Sequence, residues 1–414
     1  MREIRLTGSE SFSASSIQGA IDRLPPDGGR VILPAVELYL DRGLELRSNT
    51  ELIGQGKSTI LRKAEGRVYR LSGYHNYGML DAPLVDTRGL EPGMTVAIRD
   101  DEHKGFYETF SRITWVDDGR VGLETGLEAD YAAELNPVLF TGFPLIFGID
   151  VENVSVRNLA LDGNRAEQPE EIGACRGAAV YFLRSRNVRV RGVEERCFKG
   201  EGLGFQMCSD VRISGCSFRE NSGNGYHPGA GSTATLFEEC VSEGNGSAGL
   251  FYCVRANHIT VSRCNFSGNS GSGVSIGTSD SHNLIQGCTI EGNGGPGILF
   301  RRTERPVEAS ECRVEGCLIG RNAAKTGSGQ IEILGETHDV SLERNDIVGS
   351  GEGERSGVFI GPSASRIHLG DNGFRRCHKR VEGNLEALVA ETPHISCGMD
   401  SAQSHHFRHL VRGL

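Results

Sequence analysis

Three kinds of side chain in the second half of this 414-residue chain have the types and spacing for acid–base chemistry. His227 sits in Gly225-Tyr226-His227-Pro228, and an imidazole titrates close enough to neutrality to give or take a proton. Arg301 and Arg302 offer guanidinium groups that can neutralise a carboxylate or stabilise developing negative charge. Asp280, in the turn Thr278-Ser279-Asp280-Ser281-His282, and Glu332 are carboxylates that can act as acid, base or nucleophile. Each also has an ordinary reading: a surface imidazole held by its neighbours, solvated strand-end arginines, a turn-capping Asp and a solvated Glu. The Pro beside His227 breaks a local rule, because Pro donates no hydrogen bond inside a sheet, and such breaks cluster where function lies.

What positions these residues is a repeat. Cys216, Cys240, Cys264 and Cys288 are 24 residues apart, as are Asn221, Asn245, Asn269 and Asn293, and Gly225, Gly249, Gly273 and Gly297. Weaker copies at Gly177, Gly202, Gly329 and Gly357 extend the pattern over residues 147–380. Short alternating runs follow each Gly, and no helical periodicity intervenes. The reading is an all-β, right-handed parallel β-helix, in which equivalent residues stack about 4.8 Å apart. The Asn column is expected to serve the turns by bonding backbone and tolerating positive φ, and the Cys column to be free, buried thiols. Alternation after each Gly points Tyr181, Gln206, His227, Phe251, Ser275, Arg301, Glu332 and Phe359 outward along one face, with a one-residue shift after Gly329. Tyr226 and Tyr252 are further candidates for contact with a ligand, although alternation turns Tyr252 inward and favours Phe251.

The flanks follow from the same logic. Residues 1–63 supply the first coils and a cap, with Ile17, Ala20, Ile21 and Leu24 on one helical face behind capping serines and ahead of Pro25-Pro26. Residues 64–146 interrupt the repeat and read as a small inserted β module, in which Trp115 belongs either to the core or to a sugar-stacking surface. Residues 381–414 read as a C-terminal cap and tail, with His405, His406 and His409 solvated.

Gly is abundant, 57 residues, roughly twice average usage, which suits many tight turns. The net charge of -10 works against nucleic acid or anionic membrane as partner. No run approaches the roughly 18 apolar residues of a membrane span, and the first residues lack a signal peptide's apolar core. The chain is therefore expected in the cytoplasm, or outside it if a leader has been removed. No cysteine pair has metal-ligand spacing, and no motif calls for a cofactor.

The motifs Ile17-Gln18 followed by Ala20-Ile21-Asp22, Gly28-Gly29-Arg30-Val31-Ile32-Leu33-Pro34 and Ser48-Asn49-Thr50-Glu51-Leu52-Ile53-Gly54 resemble the pectate-lyase-like β-helix superfamily, as does Asn153-Val154-Ser155-Val156-Arg157-Asn158-Leu159 with Asp162-Gly163-Asn164. The resemblance covers most of the chain and implies the fold more firmly than a reaction. That superfamily holds polysaccharide lyases, glycoside hydrolases and uronate epimerases, but the acidic clusters and Asp pairs of the calcium lyases and polygalacturonases are missing from the repeat. The epimerases' D-P-H-D element is matched only by His227-Pro228-Gly229-Ala230. The resemblance thus implies an enzyme cleaving or rearranging glycosidic linkages of a poly- or oligosaccharide in a lateral groove. Metal-independent lyase chemistry stands ahead of hydrolysis, with His227 as base and Arg301 as stabiliser; in the hydrolase version Asp280 and Glu332 are the carboxylate pair. Tyr181, Gln206, Tyr226, Phe251, Tyr252 and Arg302 would bind substrate. The alternatives are a noncatalytic carbohydrate-binding solenoid and a homotrimer that closes the groove between chains.

Overall fold

The computed structural model describes residues 2–7, 12–173, 175–323, 325, 329–350 and 355–391, so the expected tail histidines lie outside the described residues. The chain winds as a right-handed parallel β-helix, with two long parallel sheets of 21 and 11 strands and a separate antiparallel sheet of six. Each coil contributes one strand to the smaller parallel sheet and a bent pair to the larger one. Arg186–Arg196 shows the bend, pairing along its length with both Ser209–Ser214 and Ser217–Arg219.

The bends are made by single left-handed residues. Gly215, Glu239, Arg263, Gly287, Gly316 and Arg344 form one column of positive φ, and Glu220, Gly244, Gly268, Gly292 and Arg321 form the next. A non-Gly residue there costs roughly 1–2 kcal/mol. The residue after each bend supplies compensation, because it is a Cys or an Asn whose side chain accepts a backbone N–H from the coil before. Asn245 N–H donates to Asn269 Oδ1 at 3.0 Å and Asn269 N–H to Asn293 Oδ1 at 3.0 Å. Cys240 N–H and Cys264 N–H likewise meet the sulfurs of Cys264 and Cys288, each at 3.4 Å. This corrects the sequence reading of the Asn column: the Asn residues do not take positive φ, their predecessors do, and the amides instead form a buried ladder. The ladder starts at the Glu195 carboxylate, which accepts from Asn221 Nδ2 at 2.9 Å, and ends at Gln330, whose Oε1 accepts from Asn322 N–H at 2.8 Å. Burial pushes the Glu195 carboxyl well above the usual carboxylate range. All eleven described cysteines are free.

Inside the coils, alternating aliphatic and aromatic side chains make one continuous core, from Val31 and Leu52 at one end to Ile360 and Ile367 at the other. The helix Ala14–Asp22 closes the N-terminal end, where Ile17, Ala20 and Ile21 are fully buried. Its capping box pairs Ser13 and Ser16 reciprocally. At the other end the strand Leu388–Val389 adds to Ser365–Leu369. The antiparallel sheet runs through residues 68–140 and has its own core around Val96, Ile98, Ile113 and Leu139. Trp115 is not in that core; it is 43% exposed, its ring lying against Gly122. The module is fastened to the coils by ion pairs of Arg112 with Glu45 and of Arg99 with Glu170. No described helix is long and apolar enough to cross a membrane.

Asn269→Ala would remove the acceptor for Asn245 N–H and the donor to Asn293 Oδ1. Each buried group left unpaired costs about 1–3 kcal/mol, so chemical denaturation should show a loss of about 3 kcal/mol or more. Lys57→Ala, which removes only an exposed pair with Glu194, should change stability by less than about 0.5 kcal/mol.

Candidate active site on the smaller parallel sheet

The outer face of the 11-stranded sheet presents two adjacent columns. Register places Tyr181, Gly204 and His227 in line, continues through Phe251 and Ser275 to Leu299, and ends with Glu332 and Phe359. Two residues further along each strand, a second column runs through Gln206, Gly229, Cys253, Gly277 and Arg301. The eight outward residues named from the sequence therefore share a face but divide between two columns.

His227 is the centre of a polar string. It is 6% exposed, and its Nδ1 lies 2.7 Å from Glu201 Oε2 and 2.8 Å from Oε1. Asn224 Nδ2 donates to the same carboxylate at 2.7 Å, while its Oδ1 accepts from Ala248 N–H at 2.9 Å, which fixes the amide orientation. Burial alone would strip the proton from His227, but the Glu201 carboxylate outweighs it and carries the imidazole up to about 10. On the other side of the ring, Nε2 is buried and makes no well-formed hydrogen bond, with the Cys253 side chain as its polar neighbour. The ring stands edge-on to Phe251, centroids 5.1 Å apart.

Pro228 has no N–H, so the paired register to the next coil is limited to Tyr226 opposite Leu250, although the Pro228 carbonyl still accepts from Cys253 N–H at 3.0 Å, and the strand Leu250–Phe251 is only two residues long. The Tyr252 and Cys253 carbonyls are met by Arg301, whose Nη2 donates to them at 2.8 and 3.2 Å. Arg301 Nη1 donates to Ser275 Oγ at 2.8 Å, and the guanidinium carbon lies 4.3 Å from the Phe251 ring centroid. Gly277 is required beneath it, since a Cβ there would come within 2.3 Å of the guanidinium.

The remaining sequence candidates take different places. Asp280 is fully buried and serves the turn: its Oδ1 accepts from Ala256 N–H at 3.0 Å and its Oδ2 from Gly277 N–H at 2.7 Å. Burial raises its carboxyl to about 7, with those two N–H groups and Arg301 opposing. Glu332 is 8% exposed and belongs two coils beyond Ser275, about 10 Å along the axis, so it does not meet Asp280 as an accessible pair. Tyr181 donates to Gln206 Oε1 at 3.0 Å, the two walling one end of the string. Arg302 is exposed in the turn after Arg301. Tyr226 and Tyr252 are corrected: both are fully buried in the coil interior, Tyr226 donating to the carbonyls of Cys216 and Val241, because alternation turns them inward and leaves no surface for a ligand. Glu201 and Asn224 were not legible as site residues; the only signal was a carboxylate about one coil ahead of His227.

Comparisons with known proteins agree on the fold. The model of the right handed beta helix region matches residues 250–382, and that of the periplasmic copper-binding protein NosD matches residues 145–308. Among the described residues no three His, Cys, Asp or Glu side chains are gathered in a group that could hold a metal ion. No curated protein matches the chain. Among solved structures, the Azotobacter vinelandii mannuronan C-5 epimerase AlgE4 A-module is 16% identical, with TM-score 0.61, over 91% of this chain and 95% of that one. The polygalacturonase of Erwinia carotovora ssp. carotovora is 12% identical, with TM-score 0.57, over 94% and 95%. PfbA, a surface adhesin of Streptococcus pneumoniae, is 13% identical, with TM-score 0.53, over 91% and 90%.

The His227 imidazole should keep its proton in the folded chain until the pH nears about 10. Since that value lies above the ordinary 6.5, the pair's stabilisation is complete below 6.5 and is lost as pH rises through about 10. In Glu201→Gln the largest influence holding the proton is lost and only that of Cys253 remains, so nitrogen NMR should show the His227 ring giving up its proton at a lower pH than in wild type.

Proposed function

Starting from a right-handed parallel β-helix of the pectate-lyase-like superfamily with no close family match, we propose that the chain acts on a poly- or oligosaccharide bound along this face, by metal-independent elimination ahead of hydrolysis. The observation that carries this reading is the buried Glu201–His227 pair, with one ring nitrogen unspent, beside the pinned guanidinium of Arg301. Holding an ion pair out of water is costly, and at a site that only binds it would bring little; in a catalytic groove it stores a positioned proton donor. The similar structures include enzymes named for mannuronan and polygalacturonate chemistry, which supports a saccharide in the groove.

His227 enters this scheme as a proton donor, not as the base suggested by its residue type, because the carboxylate beside it keeps it charged at neutral pH. Elimination from a uronate needs positive charge near the carboxyl group as the α-proton leaves. The imidazolium and the Arg301 guanidinium, which reaches back from three coils further on, both stand against the Phe251 ring and would supply it. Tyr181, Gln206 and Phe251 line the same face and would contact the sugar. Hydrolysis is the weaker reading, since Asp280 spends both oxygens on backbone N–H groups and Glu332 lies two coils away. A noncatalytic binding solenoid is the second reading, favoured by the adhesin among the similar structures.

Uronate-containing and neutral polysaccharides are to be screened for new reducing ends and for the ultraviolet absorbance of unsaturated products in parallel. The expected result is both signals together on a uronate polymer, falling by about 100-fold or more in His227→Ala and in Arg301→Ala. Reducing ends without absorbance would move the case to hydrolysis. Binding with neither signal would identify the noncatalytic solenoid.

A further inference from the structure

The elimination scheme has a donor but lacks a base, and the groove holds one more group that the scheme has not used. Cys253 follows the two-residue strand Leu250–Phe251 and points outward from the second column, between Gly229 and Gly277. Neither neighbour has a side chain to cover it. Gln206 lies against Gly229 on one side and Arg301 against Gly277 on the other, so the thiol sits between them. It is partly exposed, unlike the buried Cys216, Cys240, Cys264 and Cys288 of the structural column.

Its surroundings are cationic. His227, anchored through Nδ1 to Glu201, turns its buried and unpartnered Nε2 to this side. Arg301 Nη2 is bonded to the Cys253 carbonyl. The other groups facing it are the buried Cys175 thiol and, behind Arg301, the buried Asp280. Cys197, another partly exposed thiol, lies instead against the Glu220 carboxylate at 3.3 Å.

We infer that Cys253 forms a thiolate–imidazolium pair with His227, oriented by Glu201, and is the proton-abstracting base of the groove. Cationic neighbours are what draw a thiol into its ionised form, and a third group orienting the imidazole completes the arrangement. The assignment rests on the uronate reading above for its substrate. A sulfur lone pair takes the proton α to the uronate carboxyl, and the C–H bonding pair becomes the new carbon–carbon double bond. The adjacent C–O bond breaks with its pair on oxygen, which takes the Nε2 proton of His227. Transfer of the thiol proton to the neutral imidazole restores the ion pair, so a turnover consumes neither oxidant nor external acid.

The test is peptide-resolved alkylation of the full chain by iodoacetamide as a function of pH, in wild type, His227→Gln and Glu201→Gln. The inference expects Cys253 to react at least about tenfold faster than Cys197 at neutral pH, with a rate that rises little up to about pH 8.5, the ordinary thiol value. It also expects that advantage to vanish in both variants. A Cys253 rate that climbs through about pH 8.5 like a free thiol, or one indifferent to His227, overturns it. On a uronate polymer that the chain degrades, Cys253→Ala should lower turnover by about 100-fold or more with little change in substrate binding. Undiminished turnover in that variant overturns the base assignment even where the ion pair is found. If no uronate polymer is degraded, the saccharide reading fails on its own, and the alkylation series still decides the ion pair.

Discussion

Stacking in register is the constraint on which everything else in this molecule depends. A parallel coil can close only if the backbone turns sharply at its corners, and each corner here is one left-handed residue, in nearly half of those named not a cheap one: Glu239, Arg263 and Arg344 stand where Gly would be easier. The side chain that follows each corner takes an N–H from the coil before it. Asn and Cys do the same job with different atoms, and where the Cys column ends, Asn345 takes over by accepting from Cys317 N–H at 3.0 Å. Even Asp280 belongs to this set, as its carboxylate receives Ala256 N–H much as Asn283 receives Ile259 N–H. The scaffold is thus held by acceptors, and the hydrophobic interior fills the space that they define.

The site arises where that regularity is relaxed at one point. Pro228 withdraws a single donor and the following strand is short, while Gly277 N–H turns to Asp280 and leaves the Tyr252 carbonyl to a guanidinium that Gly277 has room for. The imidazole and the thiol then lie on successive coils, and the guanidinium, carried two coils further on, reaches back over Gly277 to the Phe251 ring. Their separations are set by the stacking repeat, and their charges are set by burial and by Glu201. No loop has to close to assemble them, since each is carried on the sheet or on the turn directly after it.

The period made the fold legible: Cys216 to Cys288 and Asn221 to Asn293 dictate the coil length, and alternation after each Gly assigned the inward and outward faces. The shift after Gly329 was readable too, since Ile331 and Ile333 must point inward, and the register sets them opposite Ile298 and Phe300. The chemistry was less accessible, because it depends on contacts between coils that no local pattern encodes. Glu201 meets His227 only across one coil, and the residue type of His227 alone does not tell that a buried carboxylate raises the pKa of its imidazole. For Asp280 the sequence allows both a turn cap and a catalytic carboxylate, and its two N–H donors make it the cap. Cys253 stands outside the 24-residue cysteine column, but so does Cys208, which is buried in the core, so the column alone does not single it out.

Several departures from the 24-residue period share a location. Cys288 and Cys317 occupy equivalent corners yet are 29 residues apart, and the surplus lies in the turn directly after Arg301. The antiparallel module and the segment 163–177 also enter just ahead of strands of the smaller sheet, Ile146–Ile149 and Ala178–Leu183. These insertions enter at the borders of the face that carries His227; one more, in the first coils, enters at a bend of the larger sheet, where Gly56 and Ile60 stand opposite the adjacent Leu159 and Ala160. Turns bordering the His227 face can therefore lengthen or shorten without disturbing a single rung of the Asn ladder, so the walls of that face can change while the stability of the scaffold is left alone.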